Sequence, residues 1–432
     1  MAAIEHSNSA AAQSSHGTST AQSSRPDTEP APFPTQRPAL IRDDAHAIQV
    51  ARELAADFAR DAVARDRDRI LPWAELERFT DSGLWGMTVP REHGGAGVSN
   101  ATLAEVIAIV SAADGSLGQI PQNHFYALEV LRVGGTEAQK AFFYDQALQG
   151  GRFGNALAEI GHKDFQRRTR LTTTDTQQGW RVDGKKFYCT GALYAHWIPT
   201  LVVSEQGGRD VTLLVFIPRQ SQGVSIVDDW DGFGQRVTGS GSVAFDNVAV
   251  DPSWVVPFLA SFEKPTTIGP FAQLLHAAID LGVGRGAFEA TLPFIRDSAR
   301  PWIDAKVERA RDDPLTIKMV GDVAVRLRAA EALVRRAARI VGIAQQAPDE
   351  ASVAAASIAV AEARALTTTA SLDAGTRLFE LAGTGATLDG LGLDRFWRNA
   401  RTHTLHDPVR WKYHAIGNYY LNDRFPPRHG AL

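Results

Sequence analysis

From residue 39 onward the apolar side chains recur at helical spacing. Val50, Leu54 and Phe58 repeat every four residues beside Ala47 and Ala51, and Asp43 and Asp44 precede them as caps. The glycine-rich stretch Glu92-His93-Gly94-Gly95-Ala96-Gly97 breaks the pattern. Ser99 or Asn100 then caps a helix with a stripe of Leu103, Val106, Ile107 and Val110. A further helix carries Phe125, Leu128 and Leu131 and stops at Gly134-Gly135, and Thr136 with Gln139 makes a capping-box pair for the next. Near Asn155 the period changes. Trp180-Arg181-Val182 and Lys185 to Cys189 flank Asp183-Gly184, a pairing that predicts a hairpin. Val211–Ile217, Val224–Val227 and Ser242–Phe245 read as further strands. From about residue 265 the pattern is helical again. Pro314 follows Asp312-Asp313 at a helix start, and a second long helix runs from Pro348 to about Leu381. Four long antiparallel helices with short connections predict a bundle. The order is an N-terminal helical domain over 39–154, a middle β domain over 155–262 and a helical bundle over 263–432. The class is α+β, mainly α. No strand-linked GxGxxG occurs, which counts against a Rossmann dinucleotide site.

Residues 1–38 are rich in Ser, Ala, Thr, Gln and Pro and poor in large apolar side chains, and read as a disordered tail rather than a targeting signal. Lys plus Arg is 45 against 49 Asp plus Glu, so neither nucleic acid nor an anionic membrane is an expected partner. No run of about 18 apolar residues offers a membrane span. With Cys189 the single cysteine, neither an intrachain disulfide nor a cysteine-based zinc site can form, which fits a cytoplasmic setting.

Several strings resemble the acyl-CoA dehydrogenase superfamily. Asp183-Gly184-Lys185-Lys186-Phe187-Tyr188-Cys189-Thr190-Gly191 is similar to its β-domain signature, and Pro90 to Gly97 to an N-terminal loop of that family. The resemblance extends over nearly everything after residue 39. Arg395 to Pro408, Ala299-Arg300-Pro301-Trp302 and Asp228-Asp229-Trp230 are similar to the dibenzothiophene monooxygenase group within it, and most of all to the sulfur-acquisition oxidoreductases linked to dimethyl sulfone use. That resemblance implies a middle β-barrel domain and a C-terminal four-helix bundle. It also implies an FMNH2-dependent monooxygenase acting with molecular oxygen on a small organosulfur compound. A separate NAD(P)H-dependent flavin reductase and a homotetrameric assembly are expected with it.

The dehydrogenases of this superfamily need a glutamate base. One family position lies in an aromatic-Glu-Gly-Thr string, where this chain reads His406-Asp407-Pro408-Val409; the other lies on the first bundle helix, where residues 264–288 hold no glutamate and Asp280 is the only acid. His406 suits oxygen chemistry better, since imidazole gives or takes a proton near neutrality. The resemblance places Asn155 and Thr190 beside the flavin ring as catalytic and cofactor-binding residues, and Trp230 packed near it. It gives Arg300 to flavin phosphate from a neighbouring subunit. Phe379, ahead of the glycine-rich turn at Gly383, stands where the dehydrogenases carry a glutamine for the adenine half of FAD, which favours FMN. Gln119 and Asn123 replace a His and a Tyr of the dibenzothiophene enzymes; with His124 and His403 they would line the substrate pocket and favour a smaller, more polar substrate. A metal site on His403 and His406 lacks an evident third ligand, so no metal is expected. Two alternatives stay open: a FAD-dependent acyl-CoA dehydrogenase with Asp407 as base, and a flavin-binding protein without catalysis.

Overall fold

The computed structural model describes residues 33–160, 168–173 and 179–432. What the sequence suggests for residues 1–32 lies outside the described residues. Residues 33–38, assigned to the tail, lie on the body instead. Phe33 packs on the His196 ring at 5.1 Å, and Pro34 and Pro38 close over Gly150.

Six helices follow: α1 (Asp44–Ala59), α2 (Ala62–Arg67), α3 (Trp73–Asp81), α4 (Asn100–Ala113), α5 (Gly115–Gly134) and α6 (Glu137–Leu148). Their starts are set by side chains that satisfy otherwise unpaired backbone N–H groups. Asp43 accepts from the His46 N–H at 2.8 Å, Ser99 from Thr102, and Thr136 with Gln139 completes a capping box. Asp114 accepts the Ser116 and Leu117 N–H groups at 2.9 and 3.1 Å and is itself paired with buried Arg65 at 2.8 Å, which locks the start of α5. Almost all of α5 is buried, so its side chains reach the interior of the molecule.

The strands are β1 (Arg170–Thr172), β2 (Trp180–Lys186), β3 (Trp197–Gln206), β4 (Arg209–Pro218), β5 (Val224–Val227), β6 (Ser242–Val250) and β7 (Val255–Pro257). They form one sheet in the order β5-β6-β2-β1-β3-β4-β7, parallel only between β1 and β3. The hairpin expected at Asp183-Gly184 is absent. β2 runs straight through these two residues, and its register with β6 slips there by one, a slip absorbed by Asn247 at φ +52°. Gly184, at φ +148°, is required for another reason: a Cβ there would lie 2.6 Å from Thr169 Oγ1 on the neighbouring chain segment. The two-residue hairpin turn lies instead at Gly207-Gly208 between β3 and β4, both with positive φ as the favoured hairpin turn needs. Leu171, Val182, Ile198, Val202, Val215, Ile217, Val243, Phe245 and Val248 make a core under the sheet, separate from the large interhelical core.

The last part contains α7 (Ile268–Asp297), α8 (Pro314–Gln346), α9 (Glu350–Ala382), α10 (Asp394–His403) and α11 (Arg410–Asn422). Asp313 caps α8 ahead of Pro314, as the pattern suggested. Three helices are long; the expected fourth leg is split, and Thr404–Val409 forms the break between α10 and α11. α7 and α9 run parallel: Arg364 reaches Asp280, Ser371 lies against Gly284, and Gly385 beyond α9 lies against Phe294. Among the described residues no helix is long and apolar enough to cross a membrane.

Because Phe33, Pro34 and Pro38 are half-buried on the body, a chain starting at residue 39 should be about 1–2 kcal/mol less stable than one starting at residue 33. Denaturant melts of the two truncations check this; identical midpoints would show that the segment contributes nothing.

Candidate active site

A cavity of about 820 Å³ opens where four parts of the chain converge. They are the buried face of α5, the loops around Asn155, Thr190 and Trp230, the first turns of α7, and the α10–α11 break. Residues His429–Ala431 close one side. The volume lies within the range of small-molecule and cofactor sites.

One wall is built of amides and hydroxyls. Gln119, Gln122, Asn123 and Tyr126 share one face of α5, at spacings of three and four residues. Thr190 Oγ1 and Ser240 Oγ are 2.8 Å apart, Ser240 and Thr238 hydroxyls 2.6 Å, and Thr238 donates to the Gln235 carbonyl at 3.0 Å. Three polar atoms facing this space, Gln119 Oε1, Asn155 Oδ1 and Thr402 Oγ1, are buried and have no hydrogen-bond partner in the protein. An unpaired buried acceptor costs about 1–3 kcal/mol. Such a set marks a surface built to meet a polar ligand.

Trp230 stands beside Tyr188, ring centroids 6.1 Å apart, and donates from Nε1 to the Gln235 carbonyl at 2.9 Å. Its loop is clamped. Arg69 bonds Asp228 through two N–H groups at 3.0 and 2.5 Å and the Trp230 carbonyl at 3.0 Å, and Asp229 accepts from the Ser242 N–H and hydroxyl. Gly234 passes so close to α10 that a Cβ would lie 2.1 Å from the Arg398 carbonyl oxygen. Tyr188 and Gln235 hold φ of +54° and +50°, unfavourable for side chains of this size. The Gln235 N–H donates to Asn399 at 2.6 Å, which fixes that conformation. Strained backbone of this kind gathers at working sites.

The opposite wall is built of imidazoles and carboxylates. His403 Nδ1 lies 2.5 Å from Asp280 Oδ1, and His403 Nε2 lies 3.0 Å from His276 Nδ1. The other Asp280 oxygen is paired with Arg364 and accepts from Thr368 at 3.3 Å. The His406 ring packs on His276 with centroids 4.1 Å apart, and its Nδ1 is 3.3 Å from Asp407 Oδ2. Gln273 donates to the same Asp407 oxygen at 2.9 Å and to the Gly430 carbonyl at 3.1 Å. His406 is 48% exposed, whereas the His403 and Asp280 side chains are enclosed.

Charges follow from these surroundings. Burial drives His276 well below the usual imidazole range, and the nearby charges of His406, His403, Arg364 and Lys412 push the same way, so it is neutral near pH 7. Burial lowers His403 as well, against the opposing pull of Asp280. For Asp280, burial would raise the carboxyl, but Arg364 and His403 outweigh it and keep it ionised. For Asp407, burial is likewise outweighed by the hydrogen bond and charge of His406, by Lys412 and by Gln273, and the carboxyl is held well below its ordinary range. Burial brings Lys412 down to about 8. Cys189 is buried and its thiol is pushed up to about 12, so it offers no nucleophile.

Of the residues singled out in the sequence, Gln119, Asn123, Asn155, Thr190, Trp230, His403 and His406 line this one cavity. His124 does not. It lies about 100° round α5 from Asn123, wholly buried, between the Trp85 carbonyl at 2.8 Å and the Phe153 N–H at 3.2 Å. Burial pushes its pKa down to about 3, and it braces the core as a neutral ring. Arg300, Phe379 and Gly383 are also not brought to the cavity within one chain. They sit where α7 and α9 end, some 22 residues or roughly 33 Å along α7 from His276. His276, Gln273, Tyr188 and Gln235 were missed, although His276 and Asp280, four apart, lie on one helical face. The third metal-capable group that the sequence did not reveal exists in a different combination: His276, His406 and Asp407 offer ligand atoms within 4.8 Å of one another. His403 cannot join them, as both its nitrogens are engaged.

Known proteins resemble this chain in sequence and fold. Residues 43–151 match the family model of the acyl-CoA dehydrogenase N-terminal domain and residues 274–411 that of the C-terminal domain. A dibenzothiophene monooxygenase of Rhodococcus erythropolis is 34% identical over 396 residues, 88% of this chain and 94% of its own length. The probable FMNH2-dependent monooxygenase SfnC of Pseudomonas putida is 32% identical over 388 residues, 88% and 96% of the two chains. The solved structure of the methanesulfinate monooxygenase MsuC from Pseudomonas fluorescens superposes with a TM-score of 0.82 at 31% identity, covering 89% of this chain and 99% of that one. The chain belongs to the acyl-CoA dehydrogenase superfamily, in its dibenzothiophene monooxygenase group.

Since the folded state holds Asp407 more acidic than the unfolded chain does, its ionisation stabilises the protein above the ordinary carboxylate pKa of about 4 and that contribution fades as pH falls through the folded value. Asp407→Asn should therefore melt below the wild type at pH 7, with the gap narrowing steadily below about pH 5. Melting curves from pH 7 to 3 measure it; a gap independent of pH would contradict the ionised assignment.

Proposed function

We propose that the protein is a two-component flavin monooxygenase that uses FMNH2 and molecular oxygen to oxygenate a small organosulfur compound in sulfur acquisition. The observation that carries this reading is the pairing, across one cavity, of a polar wall with unpartnered acceptors and a histidine pair whose partner acid is held strongly acidic. The relatives agree: one acts on dibenzothiophene, one is named FMNH2-dependent and one oxidises methanesulfinate.

The site residues fit a flavin. Asn155 Oδ1 and the Thr190–Ser240 hydroxyl pair supply hydrogen-bonding atoms for the polar edge of the ring, and Trp230 and Tyr188 supply aromatic surface. Bound in reduced form, FMN supplies the two electrons that let dioxygen give one atom to the substrate and one to water. The chain's own part is to orient the substrate and move protons in a space screened from bulk water. His406 reaches solvent yet packs on buried His276, so it can carry a proton between the two. Gln119 and Asn123 present amides where an apolar polycycle would leave them unpaired, which favours a small polar sulfur compound. A separate NAD(P)H-dependent reductase would supply FMNH2, in keeping with the relative named FMNH2-dependent. Phosphate would be met by Arg300 of a neighbouring copy, near Phe379 and Gly383 at the bundle end. Exposed Trp302, Ile303, Trp411, Tyr413 and Leu421 support a homotetramer in which such a contact forms. The buried lone cysteine fits a cytoplasmic setting.

An acyl-CoA dehydrogenase reaction would need Asp407 as a base. Asp407 Oδ2 already accepts from Gln273 at 2.9 Å and faces His406 Nδ1 at 3.3 Å, so that oxygen is engaged rather than free to remove a carbon-bound proton. Phe379 in place of the adenine-binding glutamine also speaks for FMN over FAD.

His406→Ala should lower oxygenation by about 10²–10⁴-fold while FMNH2 affinity stays near wild type. Stopped-flow oxidation of FMNH2 with product analysis on a panel of sulfides, sulfones and sulfinates tests both the reading and the residue; full product formation by this variant would remove His406 from the mechanism. Light scattering at micromolar concentration should return four times the 46.8 kDa chain mass, and a monomer would exclude the shared phosphate site.

A further inference from the structure

Resting on the oxygenase reading, we infer that His276 is the base of the site, its Nε2 kept bare toward the cavity by a hydrogen-bond relay through His403 to Asp280. With His403 neutral, as its burial favours, the relay fixes each proton in turn. Asp280 is a carboxylate, since its second oxygen is paired with the permanently charged Arg364 guanidinium, and a carboxylate only accepts. The 2.5 Å contact therefore has His403 Nδ1–H donating to Asp280. A neutral His403 then has a bare Nε2, which accepts from His276 Nδ1–H at 3.0 Å. The hydrogen of His276 is thus committed inward, and Nε2 is left as a lone-pair acceptor. His276 lines the cavity, and the relay behind it is enclosed, so water does not compete for its links.

The arrangement has a direction. When Nε2 takes a proton from a reacting group, the Nδ1–H of His276 still points through His403 to the Asp280 carboxylate, which offsets part of the opposing charge of Arg364, His406 and Lys412. His403 and Asp280 are positioning residues: neither touches the reacting atoms, and both decide which nitrogen of His276 does. The charged and titratable groups around His276 come from every element packed on it. They are Asp280 on α7, Arg364 on α9, His403 on α10, His406 and Asp407 in the break, and Lys412 on α11. His406, packed on His276 and half open to solvent, is placed to return the proton to water.

The test starts without flavin. In protein labelled with ¹⁵N-histidine, His276 Nε2 should show an unprotonated nitrogen resonance, and the His403 Nδ1 proton should lie far downfield. Asp280→Asn reverses the logic, because an amide N–H can donate to His403 Nδ1. His403 then donates from Nε2, and His276 Nε2 acquires the hydrogen. Since that change leaves Arg364 buried without its partner, Asp280→Asn combined with Arg364→Met provides the same reversal without a stranded charge. In turnover, His276→Gln and the double variant should lose about 10²–10⁴-fold in kcat and lose the acidic limb of the pH profile; His276→Gln keeps KM, FMN affinity and melting temperature, and the double variant, which also gives up the ion pair, is assayed at a temperature where it is fully folded. A protonated His276 Nε2 in the wild type, or His276→Gln turning over normally, overturns the relay. So does a loss of activity that only follows a loss of stability. The nitrogen pattern stands or falls independently of whether FMNH2 and a sulfur compound are the true reactants.

Discussion

The carboxylate of Asp280 is enclosed on α7, one oxygen against the Arg364 guanidinium of α9 and the other against His403 of α10. Charges this deeply buried are tolerated only when each is paired, and removing one partner of such a set typically costs about 3–5 kcal/mol. Three helices are thereby tied at one height. α7 cannot slide on α9, nor α10 rotate on either, without stranding a charge. The α10–α11 break begins directly after His403, so the position of His406 and Asp407 is inherited from this tie. Everything on the imidazole wall of the cavity is referred to it, down to which nitrogen of His276 carries hydrogen.

The facing wall is fixed by a different device. Apolar packing places the sheet and α5, but Trp230 and Gln235 sit on a loop with little core of its own. Arg69, Asp229 and Asn399 hold that loop through hydrogen bonds to its backbone and acids. These contacts maintain Gln235 in a left-handed backbone conformation, which turns the loop toward the cavity. One wall is thus rigid through buried charge and the other through strained, over-determined loop geometry. Between them lies a space with acceptors that no protein group satisfies.

Much of this was legible in the order of residues. Helix starts were marked by Asp43, Ser99, Thr136 and Asp313, because a cap is a local interaction between neighbours in sequence. The cavity's membership by Asn155, Thr190, Trp230 and His406 rested on resemblance, since these residues are distant in sequence and no periodicity joins them. What could not be read depended on long-range approach. Asp183-Gly184 has the composition of a turn, yet Gly184 is there because Thr169 passes too close for a side chain. His124 was placed in the pocket by adjacency to Asn123, whereas helical geometry turns it into the core. His276 went unnoticed because a lone histidine on an apolar helix has no meaning until His403 is brought 3.0 Å away.

The same geometry bears on what the site can hold. A flat apolar sulfide gains most from an apolar wall, and Leu157, Leu201, Phe258 and Ala272 provide one side of that kind. The other side presents Gln119, Gln122 and Asn123, all buried, with one oxygen already lacking a partner. Filling that side with a hydrocarbon ring would leave several amide groups dehydrated and unpaired, at about 1–3 kcal/mol each, and would forfeit more than the added contact returns. A compound with oxygens already on sulfur reverses the balance, because those oxygens accept from the amide N–H groups while its short alkyl part meets the leucines. On the proposed reading, the amides of α5 set the preferred substrate, and the imidazole relay operates on whatever they select.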